Sequence, residues 1–482
     1  MRLHPLATTL LALGADPLGI GQQHGGSPPA PATVGVDSPV VARGKSFEIR
    51  AADLERTLLE RHGMGERGRE LLELLVQTKL IERLAGEAKL EVTSEDLARR
   101  WNDLDRDARR AGKTQGLQGE LAKNEVSIED FRDSLRQQIV LERLVRAALG
   151  RAADAPVNGD EQAVWLQQEI SARGLSRFPP PWADGVVARC AEVEVRAEEF
   201  GAFLRRRLDP DEVRDAAWHL LLLAGIEKRM PDLAPEARER ALDAEVARRR
   251  KRHEAEFPAI SFEQRLGALG RTVELLRNDS AVEVAALSHL WVDRTSGEEG
   301  LRRTYEDERG FFEGNFGRAV RTHMLFLVAG RFVNDLQKRS YEDAEAELER
   351  MAERLGNLDD FGALSAERSE EATLRSNRGD LGWVTRDDPR VPAPVRQAVF
   401  QLLDRGESIP AGGRALGPIR WDAGAALLWV SELRATPGWE AMSKIVHEEL
   451  RRRFLEDVMP RFAVEVLALE APRAAAPAES GK

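Results

Sequence analysis

The chain has 482 residues and a formal net charge of −11, with 32% charged, 42% hydrophobic and 6% aromatic side chains. At roughly 100–200 residues per domain, this length predicts about three domains. The composition is that of a helix-leaning globular protein and excludes collagen, a fully disordered chain and a multi-span membrane protein. The acidic balance lacks the basic footprint of a nucleic-acid-binding protein. One cysteine, Cys190, excludes an intramolecular disulfide and a CxxC-type zinc site.

The N-terminus carries a short apolar run, Leu6–Gly14, behind Arg2. The run is too short to span a bilayer, which needs about 20 apolar residues, but it has the size of the apolar region of a secretory signal. Residues 21–31 are rich in Gly, Gln, Ser and Pro, so a plain disordered tail is the alternative. Export and cytoplasmic location therefore both stay open.

Apolar residues at helical spacing dominate the next hundred residues. Phe47–Arg50 alternates like a short strand, and a helix with leucines on one face opens at Asp53. Val92–Asp96 and Ser127–Asp130 are capping sequences, in which a hydroxyl and an acid satisfy the first backbone amides of a helix. The pattern predicts a helical domain of four or five helices over residues 45–149.

A weaker copy of this region follows. Three pairs of segments match in the same order: Phe47–Leu54 with Val193–Phe200, Ile81–Arg83 with Ile226–Lys228, and Val126–Glu129 with Ile260–Glu263. The matches predict a duplicated helical unit, with chance similarity as the alternative. The intervening segment, residues 152–184, is Pro-containing and predicts a linker around a short helix near Trp165.

The pattern changes after Gly310. Thr322–Val328 is a continuous apolar run of strand length, and Tyr341–Leu355 is a strongly charged helix. Two strand-like pieces follow, Gly417–Trp421 and Ala425–Ser431, and then a final amphipathic helix, Trp439–Met459. A strand, helices and two further strands within one short segment predict a small α+β domain.

The order of the motifs in this segment resembles a parvulin-type peptidyl-prolyl isomerase domain over residues 320–433. The matching pieces are His323–Val328, Asp360–Ser365, Ser369–Glu371, Arg378–Trp383, Ala398–Leu402, Gly406–Ser408 and Gly417–Glu432. The helical region resembles the N-terminal chaperone module of the SurA/PrsA group, on the Val92–Leu97 and Ser127–Arg132 signatures.

This resemblance implies a mostly α protein with one α+β domain: SurA N-like helical modules plus a parvulin-like domain, in which helices surround a four-stranded antiparallel sheet. The predicted domains are residues 1–40, a signal peptide or disordered linker; 41–150, a helical chaperone module; 151–186, a linker; 187–315, a second helical module; 316–436, the parvulin-like domain; 437–470, a C-terminal helix; and 471–482, a disordered tail. In that group the final helix often packs back onto the N-terminal module.

The family's catalysis is not covalent and implies no metal and no cofactor. Rotation about the prolyl peptide bond meets a barrier of about 18–20 kcal/mol, because amide resonance must be lost. An apolar groove that holds the proline and favours the twisted amide lowers this barrier. By resemblance, His323 takes the place of the first of two buried histidines and Glu371, or Ala372, that of a Cys or Asp of the groove. His323 and Glu371 are therefore the candidate catalytic residues.

Other positions depart from the family pattern. The second histidine is replaced by Ala426, and the Met and Phe of the proline pocket fall on Arg390 or Val391 and on Pro394 or Val395. A pocket without its Phe loses about 1.5–3 kcal/mol of apolar contact energy. The candidate substrate-binding residues, placed by resemblance, are Leu381, Arg390, Val395, Phe400 and Ala426. We therefore expect a degenerate isomerase. The alternative to a catalytic role is that His323 is an ordinary core histidine and Glu371 an ordinary acid in a polar loop.

The predicted function is chaperone-like binding of unfolded or exported polypeptides, with weak or absent prolyl isomerase activity. An active isomerase and a scaffold protein without chaperone action are the alternatives. The expected partners are unfolded or nascent exported polypeptides and X-Pro segments, with no nucleic acid and no stable membrane span. The expected location is periplasmic or otherwise exported, or cytoplasmic if the N-terminus is not a signal.

Overall fold

The computed structural model describes residues 38–44, 47–124, 128–180, 182, 184–331, 339–459 and 464–466. Most of the predicted signal or tail at residues 1–40, the predicted disordered tail at 471–482 and the predicted capping residue Ser127 lie outside the described residues. The chain divides into two compact units: unit one is residues 1–288 with 455–482, and unit two is residues 289–454.

The strands follow in chain order. They are β1 Val40–Arg43, β2 Glu48–Arg50, β3 Leu175–Arg177, β4 Val186–Cys190, β5 Val193–Arg196, β6 Ala319–Val328, β7 Asp380–Thr385, β8 Arg414–Trp421, β9 Gly424–Arg434 and β10 Glu465–Val466.

The helices cover most of the rest. They are α1 Ala51–His62, α2 Glu66–Glu87, α3 Ser94–Arg110, α4 Gly116–Lys123, α5 Ile128–Ala148, α6 Gly159–Arg173, α7 Ala197–Arg207, α8 Pro210–Arg229, α9 Pro235–Glu256, α10 Phe262–Ala268, α11 Val273–Arg277, α12 Ser280–Thr295, α13 Gly297–Asp307, α14 Arg309–Phe316, α15 Tyr341–Ala352, α16 Leu358–Arg368, α17 Ala372–Ser376, α18 Ala393–Asp404 and α19 Trp439–Val458.

The capping sequence predicted before α3 forms as a reciprocal pair of hydrogen bonds. The Asp96 amide donates to the Thr93 hydroxyl over 3.2 Å, and the Thr93 amide donates to the Asp96 carboxylate over 3.1 Å. These bonds satisfy amides that have no partner inside the helix. The Thr93 amide and the Arg143 guanidinium together lower the pKa of Asp96 to about 2.

Unit one contains two hairpins with the same register. Arg43 lies opposite Glu48 in the β1–β2 hairpin, and Arg189 lies opposite Glu194 in the β4–β5 hairpin. Each hairpin has an irregularity at the same place in its first strand, and a helix follows each second strand without a loop: α1 after β2 and α7 after β5. The correspondence supports the predicted duplication of the helical unit.

Each hairpin is extended by a third strand, so unit one contains two three-stranded sheets among its described residues. Ala42 of β1 pairs with Val466 of β10, and the matching Ala188 of β4 pairs with Arg177 of β3. The third strand of the first sheet therefore comes from the far end of the chain. The segment predicted as a linker supplies the other third strand and also α6, whose Leu166 and Ile170 are buried.

Residues 455–459 also belong to unit one. A β carbon at Gly225 would be 2.4 Å from the Val458 side chain, and one at Gly44 would be 2.5 Å from the Met459 side chain. Both glycines thus make room for the end of the C-terminal segment. Within the described part of the chain, no helix is both long enough and apolar enough to cross a membrane.

Unit two is built around an antiparallel four-stranded sheet with strand order β7-β6-β9-β8. One face packs against α15 and α16 through Leu325, Leu327, Leu348 and Phe361. The other face packs against α17 and α18 through a larger cluster that includes Met324, Leu374, Val399 and Leu428. This architecture confirms the predicted fold class: a mostly α protein with one α+β domain.

A second core lies beside the sheet in unit two. Helices α13, α14 and α19, with the last residues of α12, share an apolar cluster formed by Val292, Leu301, Phe312, Met442 and Val446. The predicted domain boundaries placed residues up to 315 in one helical module and the final helix in another segment. In the structure, residues 292–316 pack against α19.

Candidate functional site

Residues that the sequence predicts to share one site lie on opposite faces of the sheet around strand β6. From His323 to Val328 the register with β9 is regular, so alternate side chains point to opposite faces. Leu325 and Leu327 lie in the core under α15 and α16, whereas Met324 lies in the core under α17 and α18. His323 shares the first face, where its ring meets Phe361 edge-on at 6.5 Å.

His323 is buried and lies next to a carboxylate. Its Nε2 is 3.7 Å from Oδ1 of Asp380, while Nδ1 is buried without a hydrogen-bond partner among the described residues. Asp380 is held by the Gly382 amide over 2.7 Å and by the Arg321 guanidinium over 2.5 Å. Burial lowers the pKa of His323 below its ordinary value of 6.5; Asp380 opposes this shift and Arg321 adds to it. The imidazole is therefore neutral at neutral pH.

Ala426 is not a neighbour of His323. It pairs with Phe326 across the β6–β9 ladder and lies in the core under α17 and α18, whereas His323 pairs with Trp429. The two positions that the resemblance assigns to a histidine pair thus face opposite sides of the sheet. A side chain longer than alanine at 426 would enter a filled core.

Two other expected substrate-binding residues are also core residues. Val395 has no exposed surface and Phe400 is 2% exposed, because α18 turns this face onto the sheet. Together with Ala426, which is fully buried, they fill the space under the helix and have no surface left for a ligand. The structure thus places all three side chains in the core, and their role in a substrate groove stays a prediction.

Arg390 lies on the surface and is engaged by a neighbour. Its Nε donates to Oδ1 of Asp388 over 2.9 Å and its Nη2 donates to Oδ2 over 2.6 Å. The side chain of Asp388 is almost fully buried, and this pairing lowers its pKa. Arg390 therefore stabilises the turn before α18, and its role in substrate binding stays a prediction.

Leu381 belongs to a set of half-buried apolar side chains at the edge of this core. We call this set the rim: Phe326, Leu381, Ile409, Leu416, Ile419 and Trp421. The rings of Phe326 and Trp421 stack at 5.0 Å with an interplanar angle of 24°. Of these residues only Leu381 belongs to the site predicted from the sequence, although Ile419 and Trp421 alternate along the predicted strand Gly417–Trp421.

Glu371 lies next to the rim. Glu370, the residue before it, makes two hydrogen bonds with β6: the Glu370 amide donates to the Phe326 carbonyl over 2.8 Å, and the Val328 amide donates to the Glu370 carboxylate over 2.6 Å. Glu371 is the exposed residue that precedes α17, and its side chain makes no capping bond. Its catalytic role stays a prediction.

A separate apolar surface lies in unit one, at the two ends of α10. We call it the α9–α10 patch and define it by Phe257, Ile260 and Leu269, which are 39%, 48% and 54% exposed. Phe257 and Leu269 border a shallow cavity of about 230 Å³. Arg249, Arg252 and Arg265 line the same cavity, and the Arg265 guanidinium lies 4.6 Å from the centre of the Phe257 ring.

A sequence-family model described as rotamase, PPIC-type PPIASE domain, matches residues 323–411. This segment is similar to PPIC-type domains. The resemblance to a parvulin-type domain predicted from the motifs is confirmed. The match begins within β6 and contains α15 to α17, β7 and α18. No curated protein matches the chain.

The solved structures that match part of the chain include three foldases and chaperones. Peptidylprolyl isomerase PrsA from Bacillus cereus is 12% identical, with 56% of this chain and 84% of that chain covered and a TM-score of 0.24. PrsA from Bacillus subtilis is 16% identical, with coverage of 56% and 86% and a TM-score of 0.19. A structure from Campylobacter jejuni, described with PEB4 and Cj1289 as SurA-like chaperones, is 13% identical, with coverage of 45% and 75% and a TM-score of 0.23.

Proposed function

We propose that the protein is a chaperone that binds unfolded or exported polypeptides, and that the prolyl isomerase activity of its parvulin-like domain is weak or absent. The main support for this proposal is the burial of the residues that were expected to line the substrate groove. Ala426, Val395 and Phe400 fill the core beneath it, while half-buried apolar side chains remain at its rim. The domain keeps an apolar surface for a polypeptide but not the pocket that catalysis needs.

Strong catalysis would require the protein to bind the transition state more tightly than the ground states. An isomerase must bind the twisted amide more tightly than either planar form, which requires groups placed around the proline ring and the carbonyl. His323 faces the opposite side of the sheet from the rim, and its neutral ring contacts Phe361 and Asp380. A neutral imidazole in the core cannot contact a substrate on the rim.

Two apolar surfaces, one half-buried and one exposed, support polypeptide binding. The rim offers the stacked pair Phe326 and Trp421, and the α9–α10 patch offers Phe257, Ile260 and Leu269 beside several arginines. Aromatic side chains give large contact area without demanding one partner sequence. The arginines favour clients whose apolar segments carry acidic neighbours. Export of the protein is part of the proposal and is supported by the apolar run at Leu6–Gly14.

Two assays test the proposal together. The first follows aggregation of a chemically unfolded client with and without the protein, and suppression is expected at a few-fold molar excess of the protein. The second follows X-Pro exchange in a peptide, whose uncatalysed rate corresponds to tens of seconds. We expect no more than a small acceleration.

Two variants in the parvulin-like domain help both assays to distinguish the candidate functions. Trp421→Ser removes half of the stacked rim pair and is expected to weaken client binding, whereas Leu433→Ser, at an exposed position at the end of β9, is the matched control. Strong acceleration of X-Pro exchange that Trp421→Ser abolishes would favour an active isomerase. A wild-type protein that leaves aggregation unchanged would favour a scaffold.

A further inference from the structure

Two histidines from different helices meet in unit two. His289 lies on α12 and His447 lies on α19, and their rings stack at a centroid distance of 5.1 Å with an interplanar angle of 27°. Both side chains are mostly buried, at 15% and 16% exposure. This pair lies away from the sheet and the rim, and the proposed function does not use it.

Two carboxylates complete the cluster. Oε1 of Glu448 is 3.6 Å from Nε2 of His289, and Oδ1 of Asp293 is 3.0 Å from Nε2 of His447. Asp293 lies one helical turn after His289 on α12, and Glu448 is the neighbour of His447 on α19. One nitrogen or oxygen from each of His289, His447 and Glu448 lies within 4.8 Å of the other two.

We propose that His289, His447 and Glu448 bind a borderline transition-metal dication, with Zn²⁺ as the representative, and that Asp293 orients the His447 ring. Imidazole nitrogens suit Zn²⁺, Ni²⁺ and Cu²⁺, and a third ligand from a carboxylate is common in zinc sites. Tetrahedral coordination with bonds of about 2.0–2.2 Å separates neighbouring ligand atoms by roughly 3.3–3.6 Å. Nε2 of His289 and Oε1 of Glu448 are 3.6 Å apart, which is within this range. Three protein ligands leave a fourth coordination position for water.

The surroundings hold the ligands in place. Trp291 and Phe454 stack at 4.0 Å with an interplanar angle of 8°, and Val292 and Val446 have no exposed surface, so the two helices are locked together beside the site. The second oxygen of Glu448 accepts from Nε of Arg451 over 2.9 Å, which fixes the carboxylate while Oε1 faces His289. A site built on packed helices with supported ligands is preorganised.

The site was not predicted from the sequence, because its residues come from two segments far apart in the chain and neither segment has a recognised metal motif. The i, i+4 spacing of His289 and Asp293 was the available signal, since it puts both side chains on one face of α12. Facing helices that contribute His and carboxylate ligands are a known way to build a metal site in a helical core.

The test uses the full chain with any affinity tag removed and bound metal stripped by a chelator. Calorimetric titration with ZnCl₂ is expected to show one ion per chain, and Co²⁺ is expected to give the visible absorption of a four-coordinate complex. His289→Gln and His447→Gln are expected to abolish this binding. Asp293→Asn is expected to weaken it by about 10–100-fold, as for other residues that orient a ligand.

Two further variants keep the result interpretable. Glu448→Gln changes a half-exposed side chain with little risk to folding and is also expected to lose the tight site. His62→Gln is the matched control, because His62 lies in unit one with its Nδ1 3.8 Å from Glu212 and belongs to no group of three potential metal ligands among the described residues. Absence of one-to-one binding in the wild-type chain, or equal affinity in the wild-type chain and Glu448→Gln, would overturn the proposal.

Discussion

The backbone carbonyl of Glu55 on α1 lies so close to Gly201 on α7 that a β carbon at Gly201 would be 2.9 Å from its oxygen. The two residues hold the same position in the two hairpin–helix segments, since Phe47–Leu54 matches Val193–Phe200. The helices of the two segments therefore meet near equivalent residues, as expected for copies related by an approximate two-fold axis. An ion pair from Nε of Arg205 to Glu55, over 2.9 Å, spans the same crossing.

Gly201→Ala is expected to destabilise unit one by about 1–3 kcal/mol, because backbone atoms must move apart to admit the methyl group. Gly86→Ala on α2 is the control: nothing lies within 4 Å of its β carbon, so the change is expected to stabilise by about 0.5–1 kcal/mol. Denaturant unfolding followed by circular dichroism measures both. Equal stability of the two variants would contradict the close approach of α1 and α7.

Restoring the family's second histidine is expected to harm the domain and not to create activity. Ala426→His would place a larger, polar ring in a fully buried position opposite Phe326, at a cost of about 1–3 kcal/mol for overpacking alone. Ala372→His, at an exposed position at the start of α17, is the matched control and is expected to leave stability unchanged. Faster X-Pro exchange in a stable Ala426→His variant would show that the site is open after all.

Because the pKa of His323 is lowered, the free energy of unfolding is expected to fall as the pH is lowered below 6.5. Burial lowers its pKa below 6.5, so below that pH the unfolded chain binds more protons than the folded chain. Its contribution to stability is complete above pH 6.5 and is lost as the pH falls from 6.5 through the folded-state pKa. NMR titration of the His323 ring is expected to give a midpoint below 6.5, and His323→Gln is expected to flatten this part of the stability profile. A midpoint at or above 6.5 would mean that the ring is not buried as neutral imidazole.

The sequence predicted those elements whose apolar pattern is local. The continuous run at residues 322–328 became β6 because both faces of that strand are covered, and the capping pair Thr93 and Asp96 marked the start of α3. The family motifs placed His323 on its strand. They could not show which face the ring takes, because that depends on the irregularity in the β6–β9 pairing between Arg321 and Thr322.

Features that depend on distant parts of the chain were beyond the sequence pattern. Strand β10 has two residues and forms by pairing with the edge of β1, so it is too short to show an alternating apolar pattern in the sequence. The core positions of Val395 and Phe400 follow from the rotation of α18 on the sheet, which a motif does not specify. The stacking of Phe326 on Trp421 likewise joins two strands that are not neighbours in the sheet.

Client binding by unit one is expected to depend on the α9–α10 patch. A double variant, Phe257→Ser with Leu269→Ser, removes two exposed apolar side chains beside the cavity and leaves the core residues Phe262 and Leu266 in place. Because both positions face solvent, stability is expected to change little, whereas the protein concentration needed to suppress aggregation is expected to rise several-fold. The matched control is Leu149→Ser with Val164→Ser, which removes two exposed apolar side chains elsewhere in unit one. If the control weakens suppression as much as the patch variant, binding depends on total apolar surface and the patch has no special role.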